Sequence, residues 1–382
     1  MNDTPWLLVA GDLTPLGGMD AANHALARYL ALTVTSELHL VTHRAWPDLA
    51  ALRTVTVHRV WRPFNRHLLG SPLLSRTGRR VWNALAARGA KAVVNGGNCR
   101  VAAANWVHYL HAAYEPSVAG SFGQRAKSVF ARRRDLAAEH TALRDARVVI
   151  SNSRRTKRDV VERLQIPEDR VHVIYYGSDP IRFSHVDART RLAAKRTFGF
   201  STDRPLIGFV GALGDRRKAF DMLFDAFAAL SRVPEWDADL VVVGTGAELP
   251  SWKARAQDAN LDGRIHFLGF RADVPDVMAA FDALVHPARY EAYGLSVHEA
   301  LCRGVPALVS RSAGVAEHYP TTVAELLIAN PDDRAELAER LLNWRRGMER
   351  FRELVLPISE TLRARSWDSM AREIEECVRR TT

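Results

Sequence analysis

Two acids in the stretch ALVHPARYEAYGLSVHEALCRGVPALVS (residues 283–310), Glu291 and Glu299, are separated by seven residues. The apolar run Ala283 to His286 reads as a buried strand, followed by a loop that carries Glu291 and a helix that opens near Gly294. After Gly304-Val305-Pro306 a second apolar strand begins. Glu299 then lies about five residues into the helix, roughly 7 Å along its axis at 1.5 Å per residue. The first amides of that helix, around Gly294, Leu295 and Ser296, have no partner inside the helix, and the helix dipole adds positive potential there. Together they form an anion site. A diphosphate held on it would leave one acid near each end of the ligand. That geometry suits a nucleotide diphosphate sugar, with ribose hydroxyls to one side and sugar hydroxyls to the other.

The elements that must hold such a site recur along the whole chain. Short β-branched runs (Leu7 to Ala10, Leu38 to Thr42, Val55 to Val60, Ala92 to Asn95, Trp106 to Leu110, Val148 to Ser151, then Val171 to Tyr175, Leu206 to Val210, Leu240 to Val243, Ile265 to Leu268, Ala307 to Ser310 and Ala324 to Leu327) alternate with helical patterns such as Met222 to Leu230, Val274 to Phe281 and Arg334 to Leu342. This alternation predicts an α/β protein with parallel sheets covered by helices on both faces. At 382 residues the chain is long enough for two such domains. The boundary is expected in the polar stretch Gly177 to Asp203, with the pattern restarting at Pro205-Leu206-Ile207. Doubly wound sheets take ligands at the carboxyl ends of their strands, so two domains facing each other predict one deep cleft.

Composition narrows the class further. A hydrophobic content of 47% and a charged content of 25% are those of a globular protein, and no apolar run is long enough to span a bilayer. The N-terminal run MNDTPWLLVAGD lacks a basic n-region and reads as a first strand, not a signal peptide. The three cysteines, Cys99, Cys302 and Cys377, give neither a disulfide framework nor a zinc spacing, which points to a reducing cytoplasm. Within a net charge of +10, the stretch Gly120 to Val160 carries eleven Lys/Arg against four Asp/Glu, including Arg132-Arg133-Arg134. Such a cluster, Arg125 to Arg158, is either a solvated helix face or an attraction for anionic lipid headgroups at the inner face of the cell membrane. It lacks the interleaved aromatics of a nucleic-acid site, so no nucleic-acid partner is expected.

With the turn Tyr293-Gly294-Leu295 and the tail Ala300-Leu301 to Gly304-Val305-Pro306, the Glu291–Glu299 spacing resembles the E-x7-E signature of family 4 glycosyltransferases, retaining enzymes of the GT-B fold. The resemblance extends over most of the chain. Ser151 to Lys157, followed by Val173 to Asp179, is similar to the family's inter-domain crossing, where Ser153 and Gly177 shape turns. Trp367 to Val378 is similar to its closing helix, which returns to the N-terminal domain. The resemblance implies an acceptor-side domain over 1–180, joined by 363–382, and a nucleotide-sugar-binding domain over 181–362.

Site residues follow from the same comparison. Phe209 to Lys218 looks like the family's G-R-L-x-x-x-K-G phosphate loop, whose glycines permit close backbone approach and whose cations, here Arg217 and Lys218, could neutralise a departing diphosphate. Ala212 stands where an Arg is common, which leaves Arg216 or Arg217 to substitute. The resemblance gives Glu299 the ribose hydroxyls and Glu291 the donor sugar. Leu13 to Met19 is similar to the family's N-terminal Gly-Gly loop, with Gly17 and Gly18 near donor phosphates or acceptor; the alternative is an ordinary strand-to-helix turn. His108 or His111, at the end of an apolar strand, matches a family histidine near the transferred sugar, and His108 is preferred. Arg271 stands in the base-binding loop, with a purely structural role as the alternative. His298 is expected to pack.

Two further patterns are set aside. Asp237-Ala238-Asp239 matches the D-x-D of metal-dependent sugar transferases but starts a strand, the wrong edge for a ligand. Gly244-Thr245-Gly246 is half of a dinucleotide fingerprint, with Leu249 in place of the third glycine, which disfavours a nicotinamide dehydrogenase. The expectation is a retaining hexosyltransferase without metal or cofactor, taking a UDP- or GDP-sugar to a lipid-linked or saccharide acceptor in polysaccharide or glycoconjugate biosynthesis. A sugar-nucleotide epimerase of the same fold and a non-catalytic, membrane-associated sugar-nucleotide-binding protein are the alternatives.

Overall fold

The apolar runs become two separate parallel sheets in a computed structural model of the chain, which describes residues 4–65, 67–115, 122–214 and 216–381, with the side chains of 65, 67, 68 and 122–128 also outside the description. Contacts divide the chain into Met1–Gly177 with Arg365–Thr382, and Ser178–Ala364. The division falls at Gly177 and after Ala364, a few residues from the positions 180 and 363 expected above.

In the first unit the strands are β1 (Trp6–Val9), β2 (Asp12–Leu13), β3 (Leu38–Thr42), β4 (Arg44–Ala45), β5 (Val55–Arg59), β6 (Lys91–Asn95), β7 (Ala104–Val107), β8 (Val148–Ser151) and β9 (Val171–Val173). Its helices are α1 (Gly18–Tyr29), α2 (Pro47–Ala50), α3 (His67–Ala86), α4 (Phe122–Asp145) and α5 (Arg154–Leu164). Seven strands form one sheet in the order β5-β3-β1-β6-β7-β8-β9, and β2 and β4 pair apart from it. Each of these pairings is parallel. The strand order reverses between β1 and β6, and the Gly17-Gly18 turn that opens α1 follows β1 and the short β2.

The second unit runs α6 (Ala188–Thr197), β10 (Leu206–Val210), α7 (Phe220–Leu230), β11 (Asp239–Val243), α8 (Leu249–Asp258), β12 (Ile265–Gly269), α9 (Val274–Met278), β13 (Ala283–His286), α10 (Leu295–Cys302), β14 (Ala307–Ser310), β15 (Leu327–Ile328), α11 (Arg334–Arg346) and α12 (Met348–Ala364). Its parallel order is β12-β11-β10-β13-β14-β15, so the reversal lies between β10 and β13. Their pairing is confined to Ile207↔Ala283 and Gly208↔Leu284, while Phe209 and Val210 on one strand and Val285 and His286 on the other run past it. A doubly wound sheet opens its ligand crevice at such a point, beyond the carboxyl ends. β11, β13 and β14 are fully buried, which is why they read as apolar runs, whereas the edge strand β12 is mostly half-buried. The final helix, α13 (Trp367–Thr381), belongs to the first unit and buries Met370, Ala371, Ile374 and Val378 there.

Several boundaries differ from the sequence reading, among them three near the site and the sheet edges. The run Ala324 to Leu327 is mostly a 3-10 turn over Thr321–Leu326, and the strand begins at Leu327. The run Trp106 to Leu110 ends as a strand at Val107, which puts His108 and His111 beyond the sheet. The helical run Val274 to Phe281 stops as an α-helix at Met278, and the amides of Ala280 and Phe281 continue it only as turns, donating to the Val277 and Met278 carbonyls, before β13. Among the described residues, no helix is long and apolar enough to cross a membrane.

Candidate functional site

The loop after β10 is fastened to the loop after β11. Gly211 donates to the Val243 carbonyl at 3.0 Å, Leu213 to that of Thr245 at 2.9 Å, and Glu248 to that of Leu213 at 3.0 Å. This contact accounts for the Gly244-Thr245-Gly246 pattern. A Cβ on Gly244 would fall 1.9 Å from the Gly211 oxygen, and one on Gly246 would fall 1.9 Å from the Leu213 oxygen. The two glycines let one loop lie against the other.

The rest of the loop turns twice through left-handed backbone at residues that are not glycine, Arg216 (φ 52°) and Ala219 (φ 50°). Arg289, in the loop after β13, holds it there. Its guanidinium donates to the Arg216 carbonyl at 2.6 Å, to both oxygens of Asp221 at 2.8 Å and to Asp332 at 2.6 Å. Its own amide donates to the Arg217 carbonyl at 2.8 Å. Asp215, which the sequence reading placed in this loop, lies outside the described residues.

Lys218, expected at the diphosphate, and Glu291, expected at the donor sugar, are brought together. The Lys218 ammonium pairs with Glu291 Oε2, and His286 Nε2 lies 2.8 Å from the same oxygen. Burial alone would raise the Glu291 pKa, but Lys218 and then His286 reverse that and hold it below the usual carboxylate range. His286 is completely buried; burial, and after it the Lys218 charge, lowers its pKa. A neutral imidazole with no partner on Nδ1 among the described residues can donate from Nε2, so His286 fixes the carboxylate without adding charge. The sequence reading missed this residue. It closes an apolar strand, and its only signal was a polar side chain at the carboxyl end of that strand, five positions before Glu291.

Helix α10 starts at Leu295, beside Gly294 where the sequence reading opens it. Gly294 caps it at φ 108°, a conformation that disfavours any other residue, and an added Cβ would meet Val315 at 3.0 Å and Glu291 at 3.3 Å. Leu295 is the first helical residue, and the amides that follow Gly294 begin the helix without an intrahelical partner. Glu299 is half-buried, and its carboxylate has no hydrogen-bond or ion-pair partner among the described residues. Burial pushes its pKa up to about 8, with Arg182 and Arg303 pulling the other way. The same two guanidinium groups line a cavity of about 600 Å³ together with Ile181, Asp273, Pro275 and Asp276.

Other expected residues are placed as follows. Arg271 donates to Asp273 at 2.7 Å and lies 5.5 Å over the Phe198 ring, a local pair, while its neighbour Phe270 is 69% exposed. His298 is buried against the Tyr293 hydroxyl at 2.7 Å. Asp237 pairs with Arg345, and Asp239 pairs with Arg204 and Arg264.

In the first unit, Gly17 has φ 83° and caps α1, and Gly18 is that helix's first residue. His108 is 8% exposed, and burial lowers its pKa to about 3. Its Nδ1 meets the Tyr176 hydroxyl at 2.5 Å, and Asn152 donates to that same hydroxyl at 3.1 Å. In the tautomer that lets Tyr176 donate to Nδ1, Nε2 carries the proton, and this nitrogen has no partner among the described residues. His111 is half-buried, stands edge-on to Tyr109 and gives its amide to Glu139 at 2.9 Å. In the basic stretch, Arg132 pairs with Glu115, Arg134 with Asp135 and Arg155 with Asp159, while the Arg125 side chain lies outside the described residues.

Known proteins share this plan. Residues 16–182 match the profile described as Glycosyltransferase Family 4, and residues 204–345 the profile described as Glycosyl transferases group 1. An uncharacterized glycosyltransferase of Methanocaldococcus jannaschii is 26% identical over 70% of this chain and 67% of its own. The lipopolysaccharide glucosyltransferase WaaG of Escherichia coli is 29% identical over 48% of this chain and 49% of its own. The chain thus spans only part of the length of these relatives. The crystal structure of WaaG superposes with a TM-score of 0.78 at 19% identity, covering 98% of this chain and 99% of that one. Anabaena HepE, solved with UDP and glucose, gives 0.70 at 18% identity, covering 98% of each.

Proposed function

The chain belongs to the family 4 glycosyltransferases, with two Rossmann-like units of the GT-B type, and on that premise we propose that it moves a hexosyl group from a nucleotide diphosphate sugar to a saccharide or lipid-linked acceptor, with retention at the anomeric carbon. The observation that carries this reading is the meeting of Lys218, His286 and Glu291 at the point where the second sheet reverses, next to the start of α10.

In this reading the donor diphosphate lies on the first amides of α10, with Lys218 and Arg217 as counter-charges. As the sugar–oxygen bond breaks, negative charge grows on the diphosphate, and fixed cations and amides stabilise it without reorganising. These groups suffice without a divalent metal. Glu291, ionised and fixed by His286, accepts hydrogen bonds from the sugar hydroxyls and favours positive charge at the anomeric carbon. Glu299 takes the ribose, and the cavity beside Arg182 and Arg303 takes the nucleoside, with exposed Phe270 available to stack on the base. Gly17, Gly18 and the Nε2–H of His108 are the groups of the first unit assigned to the acceptor side. No covalent nucleophile is assigned; attack on the same face is the chemistry that retention requires.

WaaG and the Rhizobium meliloti mannosyltransferase LpsB, named for lipopolysaccharide synthesis, support a lipid-linked acceptor, and the 2-deoxystreptamine glucosyltransferase of Streptomyces kanamyceticus supports a small saccharide-like one. A lipid-linked acceptor would place the enzyme at the inner membrane face through the Arg125–Arg158 stretch. The test is a thermal-shift screen across UDP, GDP, ADP and their sugars, followed by transfer assays with chelator present. A nucleotide diphosphate that stabilises the fold and a sugar transferred without added metal are expected; isomerised donor with no transfer would favour an epimerase.

A further inference from the structure

From residue 49 to residue 114 the chain carries ten Lys/Arg and not one Asp or Glu. Helix α3 lies in this stretch. Its inner side buries Leu74, Val81 and Leu85 in the core of the first unit. Its outer side repeats at helical spacing through Leu69, Leu73, Arg76 and Arg80, all exposed. The loop that leads into it adds Trp61, 72% exposed, and Phe64, 85% exposed. Four apolar side chains, two of them aromatic, therefore form the start of an outward stripe whose continuation is cationic. Among the described residues, Arg76, Arg79 and Arg80 form no ion pair, whereas Arg132 and Arg134 of α4 do.

We propose that the loop at Trp61–Phe64 and the outward face of α3 form a membrane-docking surface, with Trp61, Phe64, Leu69 and Leu73 entering the interfacial layer of an anionic bilayer and Arg76 and Arg80 lying against its headgroups. Water-exposed Trp and Phe lose apolar area to the bilayer interface, where the indole also finds polar partners. A helix with an apolar end and a basic continuation lies in the plane of the surface, and its strength scales with both terms. A second copy of the chain is a poor occupant, because it would bring the same uncompensated cations face to face. A nucleic acid would match the charge but not the exposed leucines. The surface is independent of the donor reading and distinct from the α4 stretch, so each can fail alone.

The test uses the full chain with phosphatidylcholine vesicles, with or without phosphatidylglycerol, in flotation assays. Wild type should float with the anionic vesicles only. Leu69→Ser with Leu73→Ser should weaken partitioning at least about tenfold. Neutralising Arg76, Arg79 and Arg80 to Gln should weaken it on the order of a hundredfold. Trp61→Phe should keep most of the binding but lose most of the tryptophan quenching produced by lipids brominated in the acyl chain. All these side chains point out of the core, so the nucleotide-induced thermal shift serves as the folding control. The proposal is overturned by absence of flotation, by unchanged Trp61 quenching, by binding lost only on neutralising Arg132, Arg133 and Arg134, or by competition from duplex DNA as strong as that from anionic lipid. Flotation in the absence of any nucleotide-induced shift would sink the donor reading and leave this surface standing.

Discussion

Glu291 is buried beside an ammonium and an imidazole, and removing either changes what its carboxylate must do. Lys218→Ala takes away the charge that holds its pKa down, and burial then raises it. In wild type the depressed pKa contributes stability above the unfolded value and loses it in acid; in the variant the sign reverses, because ionisation now leaves an unpaired charge. The destabilisation by Lys218→Ala is therefore expected to be larger at pH 8 than at pH 5 by thermal melting, together with a turnover loss of ~10²-fold or more. Equal destabilisation at both values would mean that Glu291 is not governed by Lys218. Glu299 poses the opposite case. Its pKa of about 8 means that its share of apo stability is present at low pH and is lost as pH rises from the unfolded range through 8. Ribose hydroxyls donate to a carboxylate, so nucleotide binding at pH 7 should expel a proton, which calorimetry in buffers of different ionisation enthalpy would read and Glu299→Gln would abolish. Both acids and Lys218 were legible as a spacing and a loop motif. His286 was not, because burial makes a polar residue at a strand end look like core.

Between residue and domain, the loop after β10 depends on contacts that no local pattern announces. Its two left-handed, non-glycine turns persist because Arg289 binds the Arg216 carbonyl, Asp221 and Asp332 at once. A lysine has one point charge and no fork, so it cannot reproduce a bidentate bond to Asp221 while also reaching the other two. Arg289→Lys should weaken donor binding about tenfold or more, with near-normal melting, because the clamp orders one loop and not the core. Unchanged donor affinity would show that the loop holds itself. The central strands were legible, since burial on both faces makes β1, β13 and β14 nearly uninterrupted apolar runs, whereas β5, half-buried to exposed, showed only as a β-branched run, and the start of α10 was marked by Gly294. Their carboxyl ends were less so. The sheet stops at Val107 because the next strand, β8, pairs only as far as Ser151, and the two-residue pair β2–β4 is too short to leave a sequence pattern. The Gly244-Gly246 pattern has a tertiary cause, a neighbouring backbone 1.9 Å from each missing Cβ, that no sequence pattern announces.

At the scale of the whole chain, the last helix is separated from the rest of its unit by nearly two hundred residues of sequence and yet is part of its core. Met370, Ile374 and Val378 of α13 are 0% exposed, and the helix packs on α1 and β6. At roughly 1.5–3 kcal/mol for each large buried side chain, this face is comparable with the net stability of a domain. The entry to the helix is fixed as tightly. A Cβ on Gly177 would fall 2.2 Å from the Ser366 oxygen, and Arg365 donates to the Tyr175 carbonyl at 2.9 Å. The apolar cluster of the second unit, by contrast, draws all its members from residues 183–362. A chain ending at Ala364 should therefore lose the cooperative transition of the first unit while keeping a second transition that donor nucleotide shifts upward. Differential scanning calorimetry with and without nucleotide checks this directly. A truncated chain that melts in a single transition at the wild-type temperature would show that α13 adds nothing to the first core. If neither transition survives, the second unit depends on the first for its own folding.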